Sequence, residues 1–322
     1  MRARLGDGVS VAEPKRLPGG ASRETWLLAV THADGREERL VLRRDPPGHV
    51  VESSRAGEYA LLEAAHAAGV PVPRMRWLED DAAVLGAPFF VMEWVAGETI
   101  GRRLLRDERL AVARDRLPEQ LATALAGVHG IDPNRPALSF LTRPDRESSP
   151  ALTEVARYRD VLRGIAPDPH PTLELAVRWL ERRAPAPQTT TVVHGDFRIG
   201  NVIVGEDGLR AVIDWELAHV GDPLEDLGWL CVRSWRFGND DRPAGGLCAR
   251  ERFVAAYEAA RGVAVDRTAV HWWEVFGNFK WAVVCIMQAQ TFLGGGGNVE
   301  LAALGRRTAE MELELLDLME AV

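Results

Sequence analysis

Two aspartates and an asparagine stand at the spacing that phosphoryl transfer requires. In TVVHGDFRIGNVIV, Asp196 follows a His-Gly pair and Asn201 comes five residues later, while Asp214 lies in AVIDWELAHVGDP. Phosphoryl transfer needs a group that orients the attacking hydroxyl and ligands that hold the magnesium ion of the nucleotide. A carboxylate, then an amide, then a second carboxylate can supply both. A lone Asp before an apolar strand is usually a loop or cap residue, but this combination predicts a kinase site.

The flanking residues predict how these three side chains are brought together. β-Branched and apolar residues predict strands at 189–193, 201–204 and 209–213. Gly195 allows a sharp turn that lifts Asp196 out of the first strand. The turn residues at 205–208 join the second and third strands into a hairpin, which returns Asp214 to the side of Asn201.

These motifs resemble the aminoglycoside phosphotransferase family, a branch of the protein-kinase-like fold. The resemblance implies that Asp196 accepts or orients the proton of the substrate hydroxyl and that Asn201 and Asp214 hold Mg²⁺. Arg198 stands where protein kinases carry a Lys near the transferred phosphate, so it becomes a second catalytic candidate. His194 is interpreted as a structural hydrogen-bonding residue, since a catalytic His would leave the downstream Asn and Asp unexplained.

The N-terminal part of the chain predicts a small sheet that binds the nucleotide. Strands are expected at 24–31 and 38–44, with a turn at 33–35 and a helix from Ser53 or Ser54 to Gly69. Kinase-like folds hold a strand cation with a helix glutamate, and Arg43 and Glu58 have the order for that pair. The usual Lys is replaced here by Arg, and a surface ion pair of little energetic value is the alternative.

Two further segments are candidates for nucleotide contact. The loop at 17–22 contains Gly20 and Ser22, which are predicted to bring backbone amides close to phosphates, although many Gly-Gly pairs are plain turns. Residues 88–95 predict a buried strand that runs into the hinge between two lobes, where Glu93 and Val95 would meet the adenine edge. A core strand followed by an ordinary turn would explain the same residues.

The predicted fold class is α+β, a two-lobed protein-kinase-like fold. Residues 1–95 form the nucleotide-binding N-lobe, with an antiparallel sheet. Residues 96–322 form the C-lobe, mainly helical with a catalytic β-hairpin, which binds the acceptor. The predicted C-lobe helices are 116–128, 152–162, 171–183, 247–261, 267–292 and 299–319, and 132–150 is expected to be a long exposed loop.

Composition narrows the class of partner. The net charge of −8 argues against a nucleic-acid partner, because binding a polyanion needs a basic face. No segment has the apolar length of a membrane span, and the N-terminal residues lack the apolar core of a secretory signal, so a cytoplasmic protein is expected. The three cysteines are far apart and predict neither disulfides nor a zinc site.

The acceptor is the least determined part of the prediction. Acidic residues on the last helix would suit a polycationic aminoglycoside, but the helical spacing of its apolar residues favours the solvent-facing side of an ordinary amphipathic helix. The aromatic segment 271–292 favours an apolar acceptor, unless its rings serve only the core. WEVFGNFKWAVVC also resembles the phosphotransferase-like domains attached to acyl-CoA dehydrogenases, which implies a hydroxyacyl acceptor.

Three functions are therefore carried forward. The first is a small-molecule O-kinase that uses Mg-ATP or Mg-GTP. The second is an aminoglycoside or macrolide antibiotic kinase. The third is a catalytically silent kinase-like binding protein, which the intact Asp196, Asn201 and Asp214 disfavour and which Arg43, in place of Lys, keeps open.

Overall fold

The computed structural model describes residues 2–17, 24–45, 55–144, 149–166, 168–186 and 189–321. The N-terminal part contains a six-stranded antiparallel sheet of order β1-β3-β4-β6-β5, with β2 paired to β3. Its strands are β1 Ser10–Val11, β2 Lys15–Arg16, β3 Glu24–Thr31, β4 Glu37–Arg44, β5 Met75–Glu79 and β6 Phe89–Glu93. The short helices α1 Arg2–Leu5 and α3 Ala82–Leu85 flank it.

The β3–β4 hairpin is confirmed, and its alternation separates a core face from a cleft face. Leu40 and Leu42 of β4 pack with Leu28, Val30 and other apolar residues in a small core. Successive side chains of a strand point to opposite faces. The intervening Val41 and Arg43 accordingly line a cleft on the other face of the sheet.

Helix α2, Arg55–Ala67, packs beneath this sheet and confirms the predicted helix, while Ser53 and Ser54 lie outside the described residues. Its buried Leu61 and Leu62 belong to the large core shared with the C-terminal helices. The segment 132–150 is only partly the exposed loop that was predicted. Leu138 and Leu141 are buried in the same core, and a 3₁₀ turn at Pro136–Leu138 packs against α2.

The remainder of the chain is mainly helical. Its helices are α4 Gly101–Arg106, α5 Ala111–Val128, α6 Pro150–Ile165, α7 Pro171–Arg182, α8 Leu224–Leu230, α9 Arg250–Arg261, α10 Arg267–Leu293, α11 Val299–Gly305 and α12 Thr308–Glu320. The single helix predicted for 299–319 is wrong. The chain breaks at Arg306 and Arg307, so that α11 and α12 can each pack against α10, and α12 also against α7. Within the described ranges, no helix combines the length and apolarity needed to cross a bilayer.

Four short strands carry the predicted catalytic segment. They are β7 Thr191–Val193, β8 Val202–Gly205, β9 Gly208–Val212 and β10 His219–Gly221. The predicted β8–β9 hairpin is present, and β7 pairs with β10, a strand that the sequence did not predict. Glu98 and Val204 exchange backbone hydrogen bonds of 2.8 and 3.0 Å, which attach the hairpin to the segment that follows β6. The predicted division at residue 95 stays a prediction.

Candidate active site

The segment after β7 forms a tight loop that is fixed by a buried carboxylate. Gly195 has φ +76°, and a Cβ there would lie 2.4 Å from the carbonyl oxygen of Leu217, so glycine is required. Asp226 on α8 accepts the backbone amides of His194 at 2.7 Å and Gly195 at 2.9 Å. It also contacts His129 Nε2 at 3.1 Å. Asp226 therefore braces the start of the catalytic loop.

His194 is held as a neutral structural group. Its Nδ1 lies 3.2 Å from the amide nitrogen of Asp196 and accepts that hydrogen, while Nε2 donates to the carbonyl of Ile213 at 3.2 Å. Complete burial lowers the pKa of this imidazole, despite the nearby carboxylates that oppose the shift. Both ring nitrogens are thus engaged with backbone, which agrees with the structural role expected for His194.

The carboxylate of Asp196 is surrounded by hydrogen-bond donors. Oδ1 accepts from Trp229 Nε1 at 2.7 Å and from Arg198 Nε at 3.0 Å, while Oδ2 accepts from Asn201 Nδ2. The side chain is 15% exposed. The guanidinium of Arg198 stacks 4.5 Å from the ring centroid of Trp235. The structure thereby brings the two catalytic candidates into direct contact.

Asn201 and Asp214 lie side by side, as the hairpin prediction required. The backbone amide of Ile213 donates to the carbonyl oxygen of Asn201 at 2.9 Å. Asp214 has φ +67°, an uncommon value for a residue other than glycine, and it lines the cleft. Because the amide nitrogen of Asn201 binds Asp196, its amide oxygen is the atom left for a metal. Two oxygen donors that line the same cleft fit Mg²⁺, which keeps several waters and takes one or two protein carboxylates.

The predicted Arg43–Glu58 pair is formed, and each of the two residues has one further partner. Arg43 donates to Glu58 Oε1 at 2.6 Å and to Asp214 Oδ1 at 3.2 Å, and these carboxylates outweigh burial and raise its pKa. Arg55 donates to the other oxygen of Glu58 at 2.5 Å. Arg44 points to the opposite side of β4, as the alternation of side chains along a strand requires, and donates to Glu24 at 2.6 Å.

A cleft of about 550 Å³ lies between the sheet and the catalytic segment. Glu93 and Val95, the predicted hinge residues, line it. Arg43, Arg198, Asn201 and Asp214 line it as well, so the structure gathers most of the predicted site around one space. Gly20 and Ser22 lie outside the described residues.

The predicted aromatic acceptor surface is wrong for four of the aromatic residues in segment 271–292. Trp272, Trp273, Phe276 and Phe279 are fully buried and pack on one another in the core. Trp281 is half-buried and packs 4.7 Å from Trp235 between ring centroids. Met287 and Phe292 are exposed, so core packing explains the four buried rings but not the whole segment.

Sequence reasoning missed three residues that support the site, namely Trp229, Arg55 and Lys280. Trp229 lies in the acidic segment GDPLEDLGWL, and no local pattern indicates that its indole reaches Asp196. Arg55 sits three residues before Glu58, a helical spacing that could have predicted their contact. Lys280 is buried within the aromatic run and donates to the carbonyl of Gly195 at 3.0 Å.

Known proteins resemble this chain over most of its length. The sequence profile of the phosphotransferase enzyme family (APH) matches residues 13–263, which is most of the chain. The chain belongs to this phosphotransferase family. Curated relatives include mouse acyl-CoA dehydrogenase family member 10, 32% identical over 66% of the chain, and rat member 11, 25% identical over 92% of the chain. The chain spans only 20% and 41% of the lengths of these two proteins.

Solved structures show the fold of this phosphotransferase. A protein from Ralstonia eutropha superposes with a TM-score of 0.77 at 22% identity, covering 100% of this chain and 96% of the other. A macrolide 2′-phosphotransferase type I gives 0.65 at 21% identity, covering 95% and 94%. The streptomycin–ATP complex of APH(2″)-IIa gives 0.57 at 18% identity, covering 89% and 87%. The α+β kinase-like fold predicted from the sequence is confirmed.

Proposed function

We propose that this phosphotransferase is a small-molecule O-kinase that transfers the γ-phosphate of Mg-ATP or Mg-GTP to a substrate hydroxyl. The observation that carries the proposal is the convergence of Asp196, Asn201 and Asp214 beside a cleft lined by Arg43 and Arg198. Phosphoryl transfer depends mainly on alignment and on neutralisation of charge, and this arrangement supplies groups for both.

Asp196 is the proposed base. Its carboxylate would accept a hydrogen bond from the acceptor hydroxyl and take up its proton as the hydroxyl oxygen bonds to the γ-phosphorus. The bond from the γ-phosphorus to the bridging oxygen would break, and the nucleoside diphosphate would leave. Asn201 and Trp229 hold the carboxylate from two directions, which limits the orientations that it can adopt. Arg198 lies close enough to contact both Asp196 and a phosphate in the cleft, so it would neutralise charge that develops during transfer.

The nucleotide would lie between the N-lobe, residues 1–95, and the C-lobe, residues 96–322. Glu93 and Val95 would pair with the base, and Gly20 and Ser22 would approach the phosphates. Arg43, held by Glu58, would contact the phosphates, while Asn201 and Asp214 would bind the Mg²⁺ that neutralises them. ATP is supported by the ATP complex of a structural neighbour, and GTP stays an alternative.

The acceptor proposed first is a hydroxyacyl compound. The support is the likeness to proteins named acyl-CoA dehydrogenase family members. An aminoglycoside is less favoured, because Glu314 of α12 is buried and paired with Arg233 and Arg236 at 3.0 and 2.7 Å. That carboxylate is therefore already neutralised. A macrolide is the second candidate, since a structural neighbour is a macrolide phosphotransferase.

The experiment is a turnover panel. Purified protein is incubated with Mg-ATP or Mg-GTP and a hydroxyacyl thioester, a macrolide, an aminoglycoside or an amino alcohol, and release of nucleoside diphosphate is followed. We expect turnover with one class, and a loss of about 10²–10⁴-fold in Asp196→Asn, the range of general-base catalysis. Turnover that persists in Asp196→Asn would contradict the proposed base. Failure to bind either nucleotide would favour the silent binding protein.

A further inference from the structure

A charged lysine is buried beneath the catalytic loop. Lys280 on α10 exposes 2% of its side chain, and its Nζ donates to the carbonyl of Gly195 at 3.0 Å and to Glu225 Oε1 at 3.1 Å. Removing an ammonium group from water costs several kcal/mol unless partners compensate. Its position therefore requires these contacts, and one of them is the backbone immediately before Asp196.

The same ammonium also reaches the side-chain support of Asp196. Nζ lies 4.6 Å from the ring centroid of Trp229, within the range of a cation–π contact. The indole nitrogen of Trp229 in turn donates to Asp196 Oδ1 at 2.7 Å. Lys280 thus touches two of the groups that hold Asp196, namely the backbone before it and the indole that donates to its carboxylate.

The charges around Lys280 balance one another. Glu154, His219 and Glu225 are all buried, and their potential ligand atoms lie within 4.8 Å of one another, an arrangement that could hold a metal ion. Burial alone would lower the pKa of Lys280 and of His219. Neighbouring Tyr158 and the two carboxylates offset this for Lys280 and raise its pKa, and the carboxylates raise the pKa of His219 to about 9. Burial and the neighbouring Glu225 raise the pKa of Glu154, so the lysine and the histidine chiefly balance the charge of Glu225.

We propose that Lys280 is a positioning residue for the proposed phosphoryl transfer. By holding the Gly195 carbonyl and the Trp229 indole together, it fixes the carboxylate of Asp196 in the direction of the acceptor hydroxyl. The lysine itself contacts neither nucleotide nor acceptor in this account. Its contribution to the reaction rests on the proposed kinase function.

The test compares two variants that break the same ion pair. Lys280→Met removes the donor to Gly195 and the cation on Trp229, whereas Glu225→Gln removes only the partner charge and keeps an oxygen that accepts from Lys280. We expect kcat to fall about 100-fold in Lys280→Met, the size of effect that a 1 Å misplacement produces, with nucleotide affinity unchanged. Glu225→Gln should lose stability yet keep kcat within about threefold, because the contact of the ammonium with Gly195 persists.

A double variant and a second readout separate positioning from folding. Lys280→Met with Glu225→Gln leaves no unpaired charge of this pair, so we expect a folded protein that still has the low kcat. Hydrogen–deuterium exchange of the peptide spanning 194–200 should accelerate in Lys280→Met and in the double variant, and stay at the wild-type rate in Glu225→Gln.

Wild-type kcat and wild-type exchange in the folded double variant would overturn the proposal. Parallel losses of kcat in Lys280→Met and Glu225→Gln would also overturn it, because they would indicate a general effect of stability. If the wild-type protein phosphorylates no acceptor, the kinase function fails separately, and the exchange measurement still decides whether Lys280 fixes the loop.

Discussion

Two glutamates near the site are each shared by two basic side chains. Glu58 is held by Arg43 and Arg55 at 2.6 and 2.5 Å, and Arg43 opens onto the cleft, where it also reaches Asp214. Glu225 contacts Lys280 and His219, both at 3.1 Å, in a cluster that is sealed from solvent.

The difference between the two clusters lies in where the cation places a second hydrogen bond. Arg43 donates to Asp214 at the border of the cleft, where the proposed nucleotide phosphates would lie. Lys280 donates to the Gly195 carbonyl and so holds the backbone. We therefore expect the pair that faces the cleft to serve ligand binding and the buried pair to serve loop geometry. Perturbing the sealed cluster should mainly affect stability and turnover, and perturbing the open cluster should mainly affect nucleotide affinity.

The largest effect is expected beside the sealed cluster, at Asp226. Asp226→Ala removes the acceptor of two buried backbone amides and the partner of His129. Unpaired buried groups of this kind cost about 3–5 kcal/mol, so the free energy of unfolding should fall by that amount in urea titrations. Asp160→Ala, on the exposed side of α6, is the control and should change it by less than about 0.5 kcal/mol. Equal, small losses in both variants would refute the bracing role.

The second-largest effect is expected in a pH titration of the free energy of unfolding, which should depend on His219 in the sealed cluster. The pKa of His219 is raised from 6.5 to about 9, because Glu225 and Glu154 outweigh the effect of burial. A raised pKa means that the folded state binds the proton more tightly, so this stabilisation is complete below pH 6.5 and is lost as the pH rises through about 9. The free energy of unfolding should therefore fall by about 3 kcal/mol over this pH range.

His219→Gln is the control for that titration. Buried thiols such as Cys248, whose pKa is raised to about 11 by burial, also lower stability in alkali, and they are unchanged in this variant. The difference between the wild-type and variant curves therefore isolates His219. Parallel curves from neutral pH to pH 9 would show that His219 carries no extra proton in the folded protein.

The smallest effect is expected from Arg43→Lys in the open cluster. Lysine keeps the charge but loses the planar fork that contacts Glu58 and Asp214 together. We expect nucleotide affinity to fall about tenfold, or about 1.4 kcal/mol, in isothermal titration, with little loss of stability. Arg44→Lys is the matched control, because this neighbour faces away from the cleft and bonds Glu24. Weaker binding in Arg44→Lys than in Arg43→Lys would reverse the assignment.

The local elements of the site could be predicted from the sequence because short-range patterns determine them. Strand alternation placed Arg43 and Arg44 on opposite faces, and the β8–β9 hairpin followed from its turn residues. Long-range packing could not be predicted in the same way. The sequence gives no sign that Lys280, 85 positions after Gly195, donates to its carbonyl.

The aromatic segment 271–292 also shows that local sequence patterns do not predict long-range packing. Ring types alone favoured an acceptor surface, but whether Trp272 and Trp273 face a cavity or the core depends on how α10 crosses α8 and α7. The break between α11 and α12 likewise follows from packing against α10, which no local pattern encodes.

The most direct test of the account is to titrate ATP, with Mg²⁺ and with EDTA, into wild-type protein, Asp196→Ala and Asp214→Ala. The account predicts that Asp196→Ala binds Mg-ATP as tightly as the wild type, because Asp196 acts on the acceptor. Asp214→Ala should bind about 10–100-fold more weakly with Mg²⁺ and like the wild type in EDTA, because it removes a metal ligand. Equal affinities for Mg-ATP in all three proteins would contradict the assignment of Asp214 to the metal and with it the proposed site.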